Sequence, residues 1–173
     1  VAPSFIVDFE YPEILGGLKE LGFDKIVELT FGAKLVNKEY HEQLKKSGFF
    51  ISTTCPGIVE IVCQKYPQYK KNLVLVDSPM IAMAKICKKV YPKHGVVFLS
   101  PCNYKKIEAS KSRLVDFVID YKELKKIFEN NKIDLRECKK IHFDKFYNDY
   151  TKVYPLAGGL SKTAHLKGIF KKK

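Results

Sequence analysis

The sequence lacks any run of about 18 apolar residues, which is the length that a membrane-spanning helix requires. It also lacks a basic and then apolar leader, so we expect neither a membrane span nor secretion, and we expect the protein to be cytoplasmic. No initiator Met precedes Val1, and patterned sequence follows it directly. We therefore expect residues 1–173 to form a single domain that belongs to a longer polypeptide.

Arginine is also scarce, since Arg113 and Arg136 are the only arginines among 31 basic residues. The net charge of +12 would attract nucleic acid or an acidic protein. The lysines, however, occur as pairs on helix-like segments without the interleaved aromatic residues of a nucleic-acid groove. We therefore do not expect the protein to bind nucleic acid.

The cysteines show no CxxC spacing, which excludes a zinc ribbon and a self-contained ferredoxin motif. Their odd number also argues against a disulfide framework. Cys63 and Cys87 lie in apolar, helix-like runs and are expected to be packing residues. The full set is Cys55, Cys63, Cys87, Cys102 and Cys138.

Short apolar runs alternate with amphipathic segments, which predicts an α/β fold with a parallel β-sheet flanked by helices. The predicted strands are Ser4–Phe9, Lys25–Leu29, Phe49–Thr53, Leu73–Val76, Val96–Ser100 and Phe117–Ile119. The predicted helices are Pro12–Leu21, Lys34–Lys46, Pro56–Tyr66, Pro79–Val90 and Tyr121–Asn130. Residues Asn131–Tyr154 have the weakest pattern and are expected to form a polar excursion over the surface.

Two of the cysteines follow predicted strands and precede helix starts. Cys55 is followed by Pro56 and Gly57, and Cys102 follows Pro101. The carboxyl ends of parallel strands meet at one edge of a sheet, where such folds place ligand sites. A helix N-terminus or a nearby lysine favours the thiolate, the form that binds iron. The residues alone leave two interpretations open, a shared metal site and two buried structural thiols.

Several motifs in this order resemble the amino-terminal lobe of the catalytic domain of iron-only hydrogenases, close to ferredoxin-linked, often regulatory members. The two most specific segments are Thr53-Thr54-Cys55-Pro56-Gly57 and Pro101-Cys102-Asn103-Tyr104-Lys105-Lys106-Ile107-Glu108. The others are Val1-Ala2-Pro3-Ser4, Gly22-Phe23, Phe31-Gly32-Ala33, Ser78-Pro79-Met80 and Gly158-Gly159-Leu160. The resemblance covers nearly the whole chain and implies one lobe of the hydrogenase fold.

The resemblance also implies roles for single residues. Cys55 and Cys102 match two of the four cysteines that hold the 4Fe–4S cubane of the H-cluster, and Lys105 matches a lysine that donates to a diatomic ligand of the diiron portion. Glu108 matches an acidic position on the same loop, or it simply caps or pairs with a neighbouring lysine. The third ligand loop of the family would lie beyond Lys173, in a second lobe. This chain alone is therefore expected to lack the cluster, and its expected partner is a ferredoxin-type domain or another electron donor.

The chain departs from the catalytic pattern of that family along its proton path. Thr54 stands where the catalytic members have a cysteine, and Val74 stands where they have a serine. Tyr40 and Gln43 stand where they have two glutamates. A threonine hydroxyl does not titrate near neutral pH, whereas a thiol does. Ser100 replaces a methionine before the second ligand. These departures predict little hydrogen turnover.

Three functions follow from these observations. The leading one is an iron–sulfur, H-cluster-type domain that acts in sensing or electron transfer. The alternative is a catalytically active iron-only hydrogenase in the full-length protein, which needs a substitute acid near Thr54. The third is an enzyme without metal that uses Cys55 or Cys102 as a nucleophile. Its base would be one of the four histidines, His41, His94, His142 or His165.

Overall fold

Two short parallel strands lie at the centre of the fold, in a computed structural model that describes residues 1–144 and Gly159. Strand β1 (Val97–Ser100) pairs with β2 (Phe117–Asp120), with Val97 opposite Phe117 and Ser100 opposite Asp120. Helices flank the sheet, so the predicted α/β class with a parallel sheet is confirmed. The predicted strand Val96–Ser100 and the predicted strand Phe117–Ile119 agree with β1 and β2 to within one residue.

Six α-helices and two 3-10 helices are formed by the described residues. The α-helices are α1 (Glu13–Glu20), α2 (Thr30–Leu44), α3 (Pro56–Lys65), α4 (Pro79–Val90), α5 (Tyr104–Ser112) and α6 (Tyr121–Asn130). The 3-10 helices are Pro3–Val7 and Pro67–Asn72. Helices α4 and α6 have the predicted bounds, because each begins at a strong local signal. Ser78 accepts the N–H of Ile81 at the start of α4, and Asp120 and Glu123 form a capping box at the start of α6.

The largest core cluster joins the amino-terminal segment, α1, β1 and α6. Leu15 and Leu124 are fully buried in it, and the ring of Phe9 packs edge-on against the rings of Tyr121 and Phe128. The last described segment adds to this cluster with four partly buried side chains, those of Ile133, Leu135, Ile141 and Phe143. The prediction of a polar excursion is therefore wrong for residues 131–144, because this segment covers the apolar faces of α1 and α6. Residues 145–154 lie outside the described residues.

The predicted strand Ser4–Phe9 is wrong, because most of this segment forms the 3-10 helix Pro3–Val7. Pro3 suits a first helical turn. Phe5 and Phe9 are both buried, whereas Ile6 and Val7 are exposed. The N–H of Phe9 donates to the carbonyl of Phe5 at 2.9 Å, so the chain turns here and does not run on as a strand.

The predicted strand Lys25–Leu29 is wrong as a strand of the sheet. Its backbone is hydrogen-bonded to single residues on either side, with Val1 donating to the carbonyl of Val27 and Asp144 donating to that of Ile26. In place of the predicted strands Phe49–Thr53 and Leu73–Val76, the structure has one parallel bridge between Ile51 and Leu73. These runs pair with other segments over too few residues to form strands.

Close packing fixes α2 against α4. A Cβ atom on Gly32 would lie 2.5 Å from the carbonyl oxygen of Pro79 and 2.9 Å from the Cβ of Met83. Only glycine permits this approach. Helix α2 begins at Thr30, four residues before the predicted start at Lys34, because this close-packed turn belongs to it. The packing places Tyr40 of α2 in the same core cluster as Val74.

No helix within residues 1–144 is both long enough and apolar enough to cross a membrane. Gly159 is helical and buried, as the match to a helix-opening glycine pair predicts. Gly158, Leu160 and His165 lie outside the described residues.

Candidate metal centre

Cys55 is the N-cap residue of α3, and its side chain is exposed. Its backbone is extended, and Pro56 occupies the first helical position, where proline starts a helix without losing a hydrogen bond. The residues before it contain the single bridge at Ile51 instead of the predicted full strand. The loop geometry is therefore that of an extended segment that turns directly into a helix.

Cys102 lies between β1 and α5 and is half-buried. Its N–H donates to the hydroxyl of Ser100 at 3.2 Å, and its carbonyl accepts the N–H of Lys105 at 3.1 Å. Ser100, which the resemblance matches to a methionine, is 2% exposed, and its hydroxyl holds the backbone N–H of the second cysteine. Cys102 follows a strand, as predicted, and precedes a helix.

The two cysteine loops touch each other. Lys105 donates from its Nζ to the carbonyl of Thr54 at 3.3 Å, and Thr54 directly precedes Cys55. A Cβ atom on Gly57 would lie 3.2 Å from the ring of Tyr104, so α3 and α5 approach closely just behind the two cysteines. The structure thus brings the segments of Cys55 and Cys102 to one place, which is what a shared site requires.

Lys105 and Glu108 form an ion pair beside these loops. The Nζ of Lys105 is 2.6 Å from Oε2 of Glu108, and the side chains are 14% and 18% exposed. By contrast, the pair of Lys45 with Glu42 is largely exposed. Both residues that the resemblance assigns to the second loop therefore lie in a sheltered position next to Thr54.

A chain of hydroxyl groups runs inward from Thr54. The hydroxyls of Thr54 and Ser52 are 3.2 Å apart, Ser52 donates to the hydroxyl of Tyr40 at 3.2 Å, and the hydroxyls of Tyr40 and Thr53 are 3.0 Å apart. Thr53 donates to the carbonyl of Val74 at 2.5 Å. Each hydroxyl carries one hydrogen, so these contacts order the chain as Thr54 to Ser52 to Tyr40 to Thr53 to the Val74 carbonyl.

Three of the four positions that depart from the catalytic family pattern meet in this chain. Thr54 begins it, Tyr40 lies within it, and Val74 ends it with a backbone oxygen. Tyr40 is 2% exposed, and Val74 is 5% exposed. The fourth position, Gln43, is half-buried, and its amide oxygen accepts from Lys46 at 3.0 Å. Thr54 and Tyr40 therefore join the chain through their side chains and Val74 through its backbone, whereas Gln43 is not part of it.

Ser52 and Thr53 were not singled out as site residues from the sequence. The sequence feature that could have indicated them is the run of three hydroxyl residues, Ser52-Thr53-Thr54, immediately before Cys55. The run is visible in the sequence, but its partner Tyr40 lies 12 or more positions away.

Two of the remaining thiols, those of Cys87 and Cys138, are buried. Burial raises the pKa of the Cys87 thiol. Burial, followed by the nearby Glu20 side chain, raises the pKa of the Cys138 thiol to about 11. Cys63 is half-buried within α3. Cys87 fits the prediction of a packing residue.

Two of the three histidines that the structure describes, His94 and His142, contact side chains outside the two cysteine loops. The Nε2 of His94 lies 2.7 Å from a carboxylate oxygen of Asp24, and the Nδ1 of His142 lies 2.7 Å from the hydroxyl of Tyr11. His41 is buried within α2. These contacts of His94 and His142 therefore do not pair either ring with Cys55 or Cys102.

Comparison with known proteins identifies the family of the chain. The family model of the iron only hydrogenase large subunit, C-terminal domain, matches residues 1–173. The chain belongs to this family. Iron hydrogenase 1 of Clostridium pasteurianum is 27% identical over 176 residues, which cover 88% of this chain and 31% of that protein. The chain thus spans about a third of the length of this relative of the iron-only hydrogenase family.

Solved structures show the same fold. The HydA(deltaEFG) structure, from a study of stepwise H-cluster assembly in FeFe-hydrogenase, has a TM-score of 0.74 with 24% identity over 95% of this chain and 50% of that chain. A variant of the FeFe-hydrogenase HydA1 from Chlamydomonas reinhardtii has a TM-score of 0.71 with 24% identity over 83% of this chain and 44% of that chain. The α/β architecture is therefore that of an FeFe-hydrogenase domain.

Proposed function

We propose that this chain is the amino-terminal lobe of an iron–sulfur, H-cluster-type domain that acts in sensing or electron transfer and turns over little hydrogen. The family match supports an iron–sulfur cofactor in the full-length protein. The contact between the loops of Cys55 and Cys102 supports a site that uses both thiols. Because the chain spans 31% of its curated relative, the activity of the whole protein is part of the proposal.

The donor set fits part of an iron–sulfur ligand shell. Iron in such clusters is held by cysteine thiolates, about four for each cluster. Cys55 and Cys102 would supply two of these ligands. Within the described part of the chain, no group of three or more His, Cys, Asp or Glu side chains converges. The other ligands would come from a second lobe, so the 173-residue chain alone would not hold a full cluster.

Lys105 would donate a hydrogen bond at this site. Its ammonium group has three N–H donors, and Glu108 and the Thr54 carbonyl engage two of them. A compact cation in a sheltered position suits a small anionic ligand. When bound, a cluster of this type supplies one-electron redox chemistry. The residues of this chain would hold it, orient it and limit the entry of protons.

The observation that supports low turnover is the end of the hydroxyl chain. Proton transfer along hydrogen bonds needs a group at each end that takes up or releases a proton near neutral pH. The chain from Thr54 ends at the Val74 carbonyl, and a peptide carbonyl does not take up a proton under these conditions. It contains hydroxyls but no carboxyl, imidazole or thiol. We infer that it stabilises the Cys55 loop and does not deliver protons.

The expected partner is a ferredoxin-type domain or another electron donor, and the expected location is the cytoplasm. A redox input fits the proposed cofactor, and the net charge of +12 would favour an acidic partner protein over a neutral one. Binding of nucleic acid is not part of this proposal.

The test is a comparison of hydrogen evolution by the full-length protein, matured with its cluster, and by a catalytic relative, both with a reduced dye as electron donor. Iron and sulfide analysis of the same samples shows that the cluster is present in both. We expect a fully loaded protein with a turnover lower by about two orders of magnitude or more, the usual contribution of general acid–base assistance. Turnover equal to that of the relative would support the alternative of an active hydrogenase.

A further inference from the structure

The ammonium group of Lys105 joins the two cysteine loops. The backbone N–H of Lys105 donates to the carbonyl of Cys102 at 3.1 Å, and its Nζ donates to the carbonyl of Thr54, the residue before Cys55. One residue therefore contacts the backbone at or beside both thiols. A lysine side chain has a long flexible stem, so it holds such a position only when its charged group is itself held.

Glu108 supplies that restraint. It lies on the same helix, three residues after Lys105, and its carboxylate is 2.6 Å from Nζ. Exposed pairs at this spacing contribute little because water screens them and the side chains remain mobile. Here both side chains are less than a fifth exposed, so the interaction is screened less and the ammonium is fixed in one direction.

We propose that Glu108 is a positioning residue, whose carboxylate holds Lys105 against the Thr54 carbonyl and so sets the separation of the Cys55 and Cys102 thiols. This inference rests on the proposed function, in which both thiols bind one metal site. In this role Glu108 acts through Lys105.

A neighbouring ion pair offers a matched control. Lys106 is the next residue on α5 and is also ion-paired, but it contacts Asp120 and Glu123, at the start of α6. Lys105→Met and Lys106→Met therefore remove the same group from adjacent positions of one helix. Only the first change affects the contact between the cysteine loops.

The test is anaerobic titration of the reduced protein with Cd²⁺, followed by the ultraviolet charge-transfer band of cadmium thiolates, in a Cys63→Ser background. Binding at the paired thiols is the part of the signal that Cys55→Ser or Cys102→Ser removes. We expect Glu108→Ala and Lys105→Met each to weaken this binding by about tenfold or more, as for other outer partners of metal ligands. Lys106→Met should leave it unchanged.

Further variants separate positioning from a general loss of structure. Glu108→Asp keeps the charge and should recover part of the affinity, whereas Glu108→Gln should not. The double variant of Glu108→Ala and Lys105→Met should bind no more weakly than either single variant, because both act through one contact. Thermal unfolding of each variant, followed by circular dichroism, shows whether it is folded.

The outcomes are distinct. If the unaltered protein binds no Cd²⁺ at the paired thiols, the shared site fails, and the proposed function fails with it. If it binds Cd²⁺ and a folded Glu108→Ala or Glu108→Gln variant binds equally well, the role of Glu108 alone is overturned. Equal losses in Lys105→Met and Lys106→Met would also overturn it.

Discussion

The hydroxyl of Tyr40 accepts the backbone N–H of Thr53 at 2.7 Å. This contact connects helix α2 to the segment that leads into Cys55. The phenol is buried, and the same oxygen also accepts a hydrogen bond from Ser52. The position of the first cysteine loop therefore depends on a side chain that is part of the core.

Replacing Tyr40 by Phe should destabilise the protein by about 1–3 kcal/mol, because the ring stays in place while the N–H of Thr53 loses its buried acceptor. Urea unfolding measures the change. Tyr69→Phe is the control, since that side chain is 44% exposed, and we expect almost no effect there. Equal stability of the two variants would show that the Tyr40 hydroxyl does not hold the loop.

Iron binding should depend on Cys55 and Cys102 and should need more than this chain. After anaerobic preparation, the 173-residue chain should contain much less iron and sulfide than one cluster, because two thiolates do not complete a cubane. In the full-length protein, Cys55→Ser and Cys102→Ser should each lower the iron content, whereas Cys63→Ser should not. A stable stoichiometric cluster in the chain alone would mean that the ligand set is different.

Thr54→Cys alone should restore little hydrogen evolution in the full-length protein. The introduced thiol would lie next to Ser52 and would still lead to Tyr40 and the Val74 carbonyl. A quadruple variant adds Tyr40→Glu, Gln43→Glu and Val74→Ser to this change. It should raise hydrogen turnover by about two to four orders of magnitude. A large gain from the single change would show that protons reach Thr54 by another route.

The stability of the protein should fall in acid, partly through Asp120. The backbone N–H of Glu123 and then the ammonium of Lys106 lower the pKa of the Asp120 carboxyl below its ordinary value. A lowered pKa in the folded state stabilises the protein above the unfolded pKa of about 3.9, and this contribution is lost as the pH falls through the folded pKa. Thermal unfolding between about pH 5 and pH 2 measures the loss.

Two variants separate the charge of Asp120 from its capping hydrogen bond. Asp120→Asn retains a side-chain oxygen that caps α6, so it should flatten the pH dependence at a small cost near pH 7. Asp120→Ala removes both the charge and the capping oxygen. It should lower the free energy of unfolding by about 1 kcal/mol at pH 7. An unchanged acid slope in Asp120→Asn would assign the pH dependence to other carboxyls.

The sequence predicted best those elements that local signals define. The bounds of α4 and α6 follow from Ser78-Pro79 and from the pair Asp120 and Glu123, which lie within one turn of the helix starts. The strand predictions failed where the pairing segment is far away in the sequence and pairs over few residues. Val1 and Asp144 pair with residues 25–29 over only one or two residues, which no local pattern reveals.

The same reason limits the prediction of the site. Cys55, Cys102, Lys105 and Glu108 were found from motifs, and the structure places their segments in contact. The hydroxyl chain was not predicted, since it needs the packing of α2 against α4 to bring Tyr40 beneath Ser52 and Thr53. Motifs indicate candidate side chains for a site, whereas the connections between them depend on the tertiary structure.

The contact between Lys105 and Thr54 has a consequence for the order of folding. These residues are 51 positions apart, so their meeting requires the closure of a long loop. Contacts of this span form late, because the chain loses conformational entropy before they contribute. In the nascent chain Cys55 and Cys102 are therefore far apart, and neither thiol alone retains a metal ion well. If both thiols bind one metal site, as proposed, metal capture would follow the completed fold, and its binding free energy would add to the stability of the folded chain.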